Sequence, residues 1–186
     1  MYNFFNQMIL VMLLFPILSC NNGTIHEKIE IMKSSPINLN LENMQCWSND
    51  TLATNRPWES IPLKLCVFVS ETFCTSCYLK KMFQWEDFIN MEKEKDFYIY
   101  YIFEPQDGCE ETFHKFFYQA ELDHPFYIDK KKEFLLINPH IPQESMFHTF
   151  LLDEMNNILL VGDILHNTEI EQQFKKILDE HIKSKQ

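Results

Sequence analysis

KLCVFVSETFCTSCYLKKMFQWEDFI, residues 64–89, is the stretch on which the reading of this chain turns. Leu65 to Val69 are apolar and rich in β-branched or aromatic types, as a strand covered on both faces would be. A short turn then carries Cys74-Thr75-Ser76-Cys77. Beyond it Leu79, Met82, Phe83 and Ile89 recur at helical spacing, with Lys80, Lys81, Glu86 and Asp87 between them. Two cysteines three positions apart at the start of a helix can close on each other across one turn. The first also meets the backbone N–H groups and dipole of the helix N-terminus, which stabilise a thiolate. Strand, turn and helix together present the chemistry of a dithiol/disulfide switch.

Outward from this stretch toward the C-terminus the order is regular. Strand 63–70 and a helix over 75–93 lead to strand 97–103 (FYIYYIF), closed by Pro105-Gln106-Asp107-Gly108. A helix is expected over 109–121, with Phe113, Phe116, Phe117 and Ala120 on one face and Glu110 and Glu111 favourably placed in its first turn. The short apolar segment Pro125 to Ile128 and a loop or short helix over 129–145 come next. Strand 147–153 (FHTFLLD) then turns through Glu154 to Asn157 into strand 158–162 (ILLVG). The last helix, 168–183, sets Ile170, Phe174, Ile177, Leu178 and Ile182 at helical spacing, with Asn167 or Thr168 as its cap. The order β-α-β-α-β-β-α predicts an α/β domain with a mixed sheet covered on both faces.

Toward the N-terminus, Thr24 to Lys33 reads as a short helix that ends before Ser34-Ser35-Pro36. Ile37 to Leu41 alternates strictly and reads as a strand, with Met44 to Trp47 its partner across a turn at Glu42-Asn43. Ser48 to Pro62 is a loop into the main domain.

Composition narrows the function. The net charge of -11 argues against nucleic acid or an anionic membrane surface as a partner for a basic patch. The run Lys130-Lys131-Lys132 is read as a solvated turn. The seven histidines are scattered, and none stands at a zincin or catalytic-dyad spacing. No second C-x-x-C or close His pair completes a zinc site around Cys74 and Cys77, so no metal and no cofactor is expected.

Met8 to Leu18 is an apolar run too short to span a bilayer and of the length of a signal-peptide core. It ends in Ile17-Leu18-Ser19-Cys20, followed by polar Asn21-Asn22-Gly23-Thr24. This resembles the lipobox of bacterial lipoproteins, which implies lipidation of Cys20, although Met1 to Gln7 holds no Lys or Arg. A simple secretory signal or an uncleaved anchor, with Cys20 incidental, is the alternative. Either way the chain is expected to leave the cytoplasm for oxidising surroundings, in which disulfides persist. Setting Cys20 aside leaves Cys46, Cys66, Cys74, Cys77 and Cys109, an odd number. Cys66, inside the apolar strand, is read as an inert core residue. A bridge between Cys46 and Cys109 and a reactive Cys109 at a helix start both stay open.

The element order, with C-x-x-C at the end of the first core strand, resembles the thioredoxin fold over residues 61–183. Thr149 to Asp153 and Ile158 to Gly162 are similar to the TFLID…G hairpin of the periplasmic TlpA/ResA-like branch. The resemblance implies thiol–disulfide exchange in which Cys74 attacks and Cys77 resolves the mixed disulfide. Its implied partners are protein thiols or disulfides of the bacterial envelope and a redox recycling partner. The implied division is a signal peptide at 1–19, a tether and N-terminal extension at 20–62 and the thioredoxin-like domain at 63–186.

This chain departs from that pattern at named positions. Family members usually carry Trp before the first cysteine and often Pro before the second; here these are Phe73 and Ser76. The family's cis-proline slot falls on Phe147, followed by His148, with Pro142 five residues too early. Phe73, Phe147 and His148 are therefore the expected groove residues. Where the family tends to place an acidic proton acceptor the chain has Phe68 or Lys80, and Glu71 is the nearest carboxylate in sequence. A thioredoxin-fold scaffold whose C-x-x-C is a structural disulfide is the competing expectation. A peroxiredoxin-type peroxidase fits less well, because Glu71-Thr72-Phe73 precedes Cys74.

Overall fold

Leu63–Val69 is buried at every position, as the apolar run Leu65–Val69 requires of a strand with cover on both faces. In the computed structural model, which describes residues 23–48, 51–52, 61–71, 78, 82–106 and 124–184, it lies inside a sheet of seven strands. These are β1 (Gln45–Ser48), β2 (Thr51–Leu52), β3 (Leu63–Val69), β4 (Phe97–Phe103), β5 (Phe126–Ile128), β6 (Thr149–Leu152) and β7 (Ile158–Val161). Their spatial order is β2-β1-β5-β4-β3-β6-β7. β3 runs parallel to β4, with Leu63 opposite Phe97 and Val69 opposite Phe103, and antiparallel to β6. The expected signal peptide at 1–19, Cys20, residues 73–77, Lys80, Cys109 and the helix expected over 109–121 lie outside the described residues.

Alternation along β3 and β4 divides the core in two. Leu65, Val67, Ile99 and Tyr101 face α2 (Glu86–Glu94) and α4 (Thr168–Ser184), meeting Trp85, Phe88, Phe174 and Leu178. Cys66, Phe68, Tyr100 and Ile102 face the other way, onto Phe134 of the single-turn α3 (Phe134–Ile137) and onto Met32, Ile37, Leu39 and Met44 of the N-terminal segment. Residues 25–48 and 51–52 are thus part of the fold. They help to cover the second face and add two strands beyond β5.

Local chemistry explains the helix ends. α1 (Ile25–Met32) opens on a capping box: Glu27 N–H donates to Thr24 Oγ1 at 3.2 Å and Thr24 N–H to Glu27 Oε2 at 2.7 Å. α4 is capped by Asn167, whose Oδ1 accepts from the Glu169 and Ile170 amides at 3.0 and 3.2 Å.

Several expectations are corrected. Ile37, Leu39 and Leu41 are buried in alternation with Asn38 and Asn40, yet they form no strand and do not pair with 44–47. The segment is held instead by the buried amide of Asn138, which accepts from Asn38 N–H and donates to Asn38 O, both at 2.8 Å. Asn40, at φ 49°, then turns the chain into a 3₁₀ turn over Leu41–Asn43. β1 pairs with β2 and with β5. The 125–128 segment contains a strand, β5, parallel to β4. A 3₁₀ turn at Ser145–Phe147 replaces the start of the expected strand 147–153, so β6 begins at Thr149. Within the helix expected over 75–93, Met82–Trp85 are likewise 3₁₀, and an α-helix follows over Glu86–Glu94.

Lys64 is the one charged residue within β3, and it is buried. Its ammonium reaches beneath the β6–β7 turn and donates to Asp153 O at 3.1 Å, Glu154 O at 2.9 Å and Asn156 Oδ1 at 2.9 Å. Asn156, at φ 64°, also offers its carbonyl to Ile37 N–H at 2.9 Å, so this turn joins β3, the hairpin and the N-terminal segment.

Candidate functional site

β3 and β4 are parallel and end side by side, at Val69 and Phe103. Open α/β sheets place ligands outside the carboxyl ends of such strands. Here a cleft of about 310 Å³ opens at that end of the sheet. The apolar side chains of Val67, Val69, Trp85 and Leu165 line it, as do Met146 and His148. Of the expected site residues, Cys74, Cys77 and Phe73 lie outside the described residues, as does Cys20. Their chain neighbours are described. Val69 lines the cleft five residues before Cys74, and Tyr78 lines it directly after Cys77. The Tyr78 ring packs edge-on against Phe103 at 6.1 Å, and burial pushes its hydroxyl above the ordinary tyrosine value.

The loop before β6 brings one expected groove residue to the cleft and turns the other away. Phe147 is buried in the second core beneath the Lys28 ammonium, 5.8 Å from its ring centroid. His148 lines the cleft, and its carbonyl accepts from Phe68 N–H at 2.8 Å, which carries the β3–β6 pairing one step beyond β6. Its side chain is sealed. Nε2 lies 2.9 Å from Pro142 O, a pure acceptor, so Nε2 carries the proton and donates, while Nδ1 is buried with no hydrogen-bond partner among the described residues.

Burial holds the His148 imidazole below its ordinary value. The unfolded histidine takes up a proton near pH 6.5 and the folded one does so only at lower pH. The unfolded state therefore binds more protons in that interval, and this contribution to stability is complete above about pH 6.5 and declines below it, at up to about 1.4 kcal/mol per pH unit. His140 is shifted in the same direction, also by burial. The urea midpoint of the wild type should thus fall between pH 7.5 and 5.5 more steeply than that of His148→Gln, whose amide can still donate to Pro142 O. Equal slopes would show that His148 is not held neutral.

Carboxylates gather beyond the strand ends. Glu104 follows β4, donates its N–H to Val69 O at 2.9 Å and is buried. Desolvation foremost, then the charges of Glu71 and Asp129, raise its carboxyl above the ordinary glutamate value. Asp129 Oδ2 accepts from Phe134 N–H at 2.7 Å and so caps the turn of α3. Glu71, the nearest carboxylate to Cys74 in sequence, is ion-paired with Lys132, a residue at φ 56°. Lys132 therefore belongs to a side-chain interaction, which the reading of 130–132 as a solvated turn missed. Cys66 and Cys46 are buried thiols, and burial drives that of Cys66 far above the ordinary cysteine value.

Sequence spacing did not single out Asp163 and His166. β7 leaves the sheet through Gly162, at φ 141°, where a Cβ would press on the Ile170 side chain at 3.2 Å. The chain then folds over Asp163. Its Oδ1 accepts from the Leu165 and His166 amides at 2.9 and 3.2 Å, and its Oδ2 lies 2.8 Å from His166 Nδ1. Both side chains line the cleft. The local signal is D-x-x-H just after the hairpin glycine, and it has no meaning until the fold places it beside Tyr78.

No family model matches the chain, and no curated protein matches it. Solved structures do. A thioredoxin-like protein determined in its oxidised form is similar over 78% of this chain and 95% of its own length, with 9% identity and a TM-score of 0.53. A mutant of PrxQ from Xylella fastidiosa is similar over 79% of this chain and 95% of its own, with 13% identity and a TM-score of 0.51. A domain of a possible thiol-disulfide isomerase from Cytophaga hutchinsonii matches over 76% and 90%, with 13% identity and a TM-score of 0.51. At such identities the likeness is one of backbone architecture, and in architecture this chain is thioredoxin-like, a mixed α/β sheet with helices on both faces.

Proposed function

We propose that this protein is a lipid-anchored thiol–disulfide oxidoreductase of the bacterial envelope, with Cys74 as nucleophile and Cys77 as resolving cysteine. The observation that carries the reading is where the described neighbours of C-T-S-C lie. Val69, at the end of the central strand β3 and five residues before Cys74, and Tyr78, the residue after Cys77, both line the cleft at the carboxyl end of the sheet. Cys46 and Cys66 are buried in the second core and offer no competing exposed thiol. In this reading Cys74 attacks a substrate disulfide, the mixed disulfide forms, and Cys77 displaces the substrate thiol. Substrates are protein thiols or disulfides of the envelope, a separate electron donor or acceptor recycles the pair, and Cys20 carries the lipid.

The test is the reduction potential of the pair in soluble protein starting at Asn21, equilibrated against glutathione. A potential of about -120 to -270 mV, the range of exchange proteins, is expected. Cys77→Ser should then trap mixed disulfides through Cys74, and Cys74→Ser should trap none. A bond below about -300 mV that traps nothing would replace this reading with that of a thioredoxin-fold scaffold carrying a structural disulfide.

A further inference from the structure

We propose that a hollow at the amino end of β3 docks an extended segment of a partner protein, one that sets an aliphatic side chain beside a lysine or arginine. The hollow, of about 460 Å³, forms where the start of β3, the β6–β7 turn, β7 and the second half of α4 meet. The cleft opens at the carboxyl ends of β3 and β4, so the two concavities lie at opposite ends of the sheet. An occupant of one leaves the other open.

Leu63, Met155, Leu159 and Ile177 give the hollow its apolar lining. Met155 is 73% exposed, Leu159 is 37% exposed, and Ile177 is only partly buried against the first core. Single exposed apolar residues are normal on a protein surface, whereas apolar groups gathered in one concavity mark a contact site. The local structure explains how these two come to be exposed. Polar residues build the turn around Met155: Asp153 accepts from Asn157 N–H and Nδ2 at 2.8 and 2.9 Å, and Asn156 reverses the chain at φ 64°. The methionine between them joins neither core. Leu152 pairs with Ile158 and Leu151 with Leu160, so Leu159 is the extra residue of a bulge, a feature that re-aims a side chain.

Acidic groups share the hollow. Asp153, Glu154 and Glu180 line it, no lysine or arginine does among the described residues, and His181 is the one further titratable group there among them. Two cations lie close by. Lys64 is beneath the turn with its ammonium spent on three oxygens, and Lys176 is 3.8 Å from Glu180 at the exposed surface. Carboxylates beside apolar side chains favour a basic segment with an apolar neighbour and repel an acidic one. β7 ends the sheet and has a neighbour on one side only among the described strands. An extended chain can therefore meet unpaired main-chain groups along β7 while its side chains enter the hollow.

The experiment titrates protein starting at Asn21, which keeps every described residue, with short synthetic peptides and follows isotope-labelled methionine methyls by NMR. A peptide alternating lysine and leucine should shift the Met155 resonance saturably and leave in place that of Met82, 0% exposed in the first core. Exchanging its lysines for glutamate, or its leucines for serine, should weaken binding by about tenfold or more. Glu154→Gln combined with Glu180→Gln should bind the lysine peptide about fivefold more weakly, the scale of two exposed ion pairs. Both side chains are exposed, so the urea midpoint of this double variant should stay close to that of the wild type. A glutamate peptide that shifts Met155 as strongly as the lysine one would overturn the proposal, as would a double variant that binds the lysine peptide as tightly as the wild type. So would a Met155 resonance that answers to no peptide, or one that moves with protein concentration alone, which would give the hollow to a second copy of this chain.

Discussion

Replacing Phe174 with alanine should lower the free energy of unfolding by about 4 kcal/mol, within the range for large-to-small core substitutions at an aromatic. Phe174 is 0% exposed and stands at the centre of the first core. Its ring meets Phe97 of β4 edge-on at 5.4 Å and Phe88 of α2 at 5.9 Å, so one side chain joins the last helix to the sheet and to the helix beside it. Removing it forfeits the transfer of the ring from water and leaves a cavity walled by two other rings on separate elements, which cannot close together without moving the helices. Such a loss is a large part of the roughly 5–15 kcal/mol available to a domain. Urea titration would show it as a lower midpoint at unchanged slope. A change below about 1.5 kcal/mol would mean that α4 packs on the sheet without relying on this ring.

The second large effect is expected at Lys64. Lys64→Met keeps the aliphatic stem but removes an ammonium that serves three oxygens. Hydrogen bonds to charged groups contribute more than neutral ones, and acceptors left unmet in a half-buried turn carry the desolvation cost, so a loss of about 3 kcal/mol is expected. Burial lowers the Lys64 pKa while Asp153 and Glu154 counteract it, so the lysine is tolerated inside β3 because acceptors surround its head. Amide exchange should speed up at Ile37, whose N–H is held by Asn156 O on the same turn. An unchanged urea midpoint for Lys64→Met would show that water satisfies the turn.

What was legible in the chain divides along physical lines. β4 is an unbroken apolar run and β3 is one from Leu65 to Val69, and a strand with cover on both faces is the economical way to bury such residues in succession. α4 carries its period and its Asn167 cap in one local stretch. Ile37 to Leu41 misled because alternate burial marks any extended segment lying on a core. Whether a strand partner exists is a non-local fact, and here the partner is one amide a hundred residues away. β5 is three residues long and owes its strand character to the neighbours that flank it, β1 and β4. The C-x-x-C pair stood out by its spacing, and it lies outside the described residues. Glu104 and the Asp163–His166 pair acquire meaning only where the fold gathers them at the strand ends.

The docking of α1 has a further consequence, one of reach. Met32 is buried in the second core, and Lys28 is ion-paired with Glu144 and lies over Phe147, in the loop that leads to His148. With a lipid on Cys20, as proposed, only residues 21–24 are left as a leash before the helix begins. Four extended residues and one helical turn span about 20 Å at most. The cleft would then work in a shell close to the bilayer, meeting cysteines of membrane-embedded or similarly anchored chains far more often than those of proteins diffusing freely in the surrounding space.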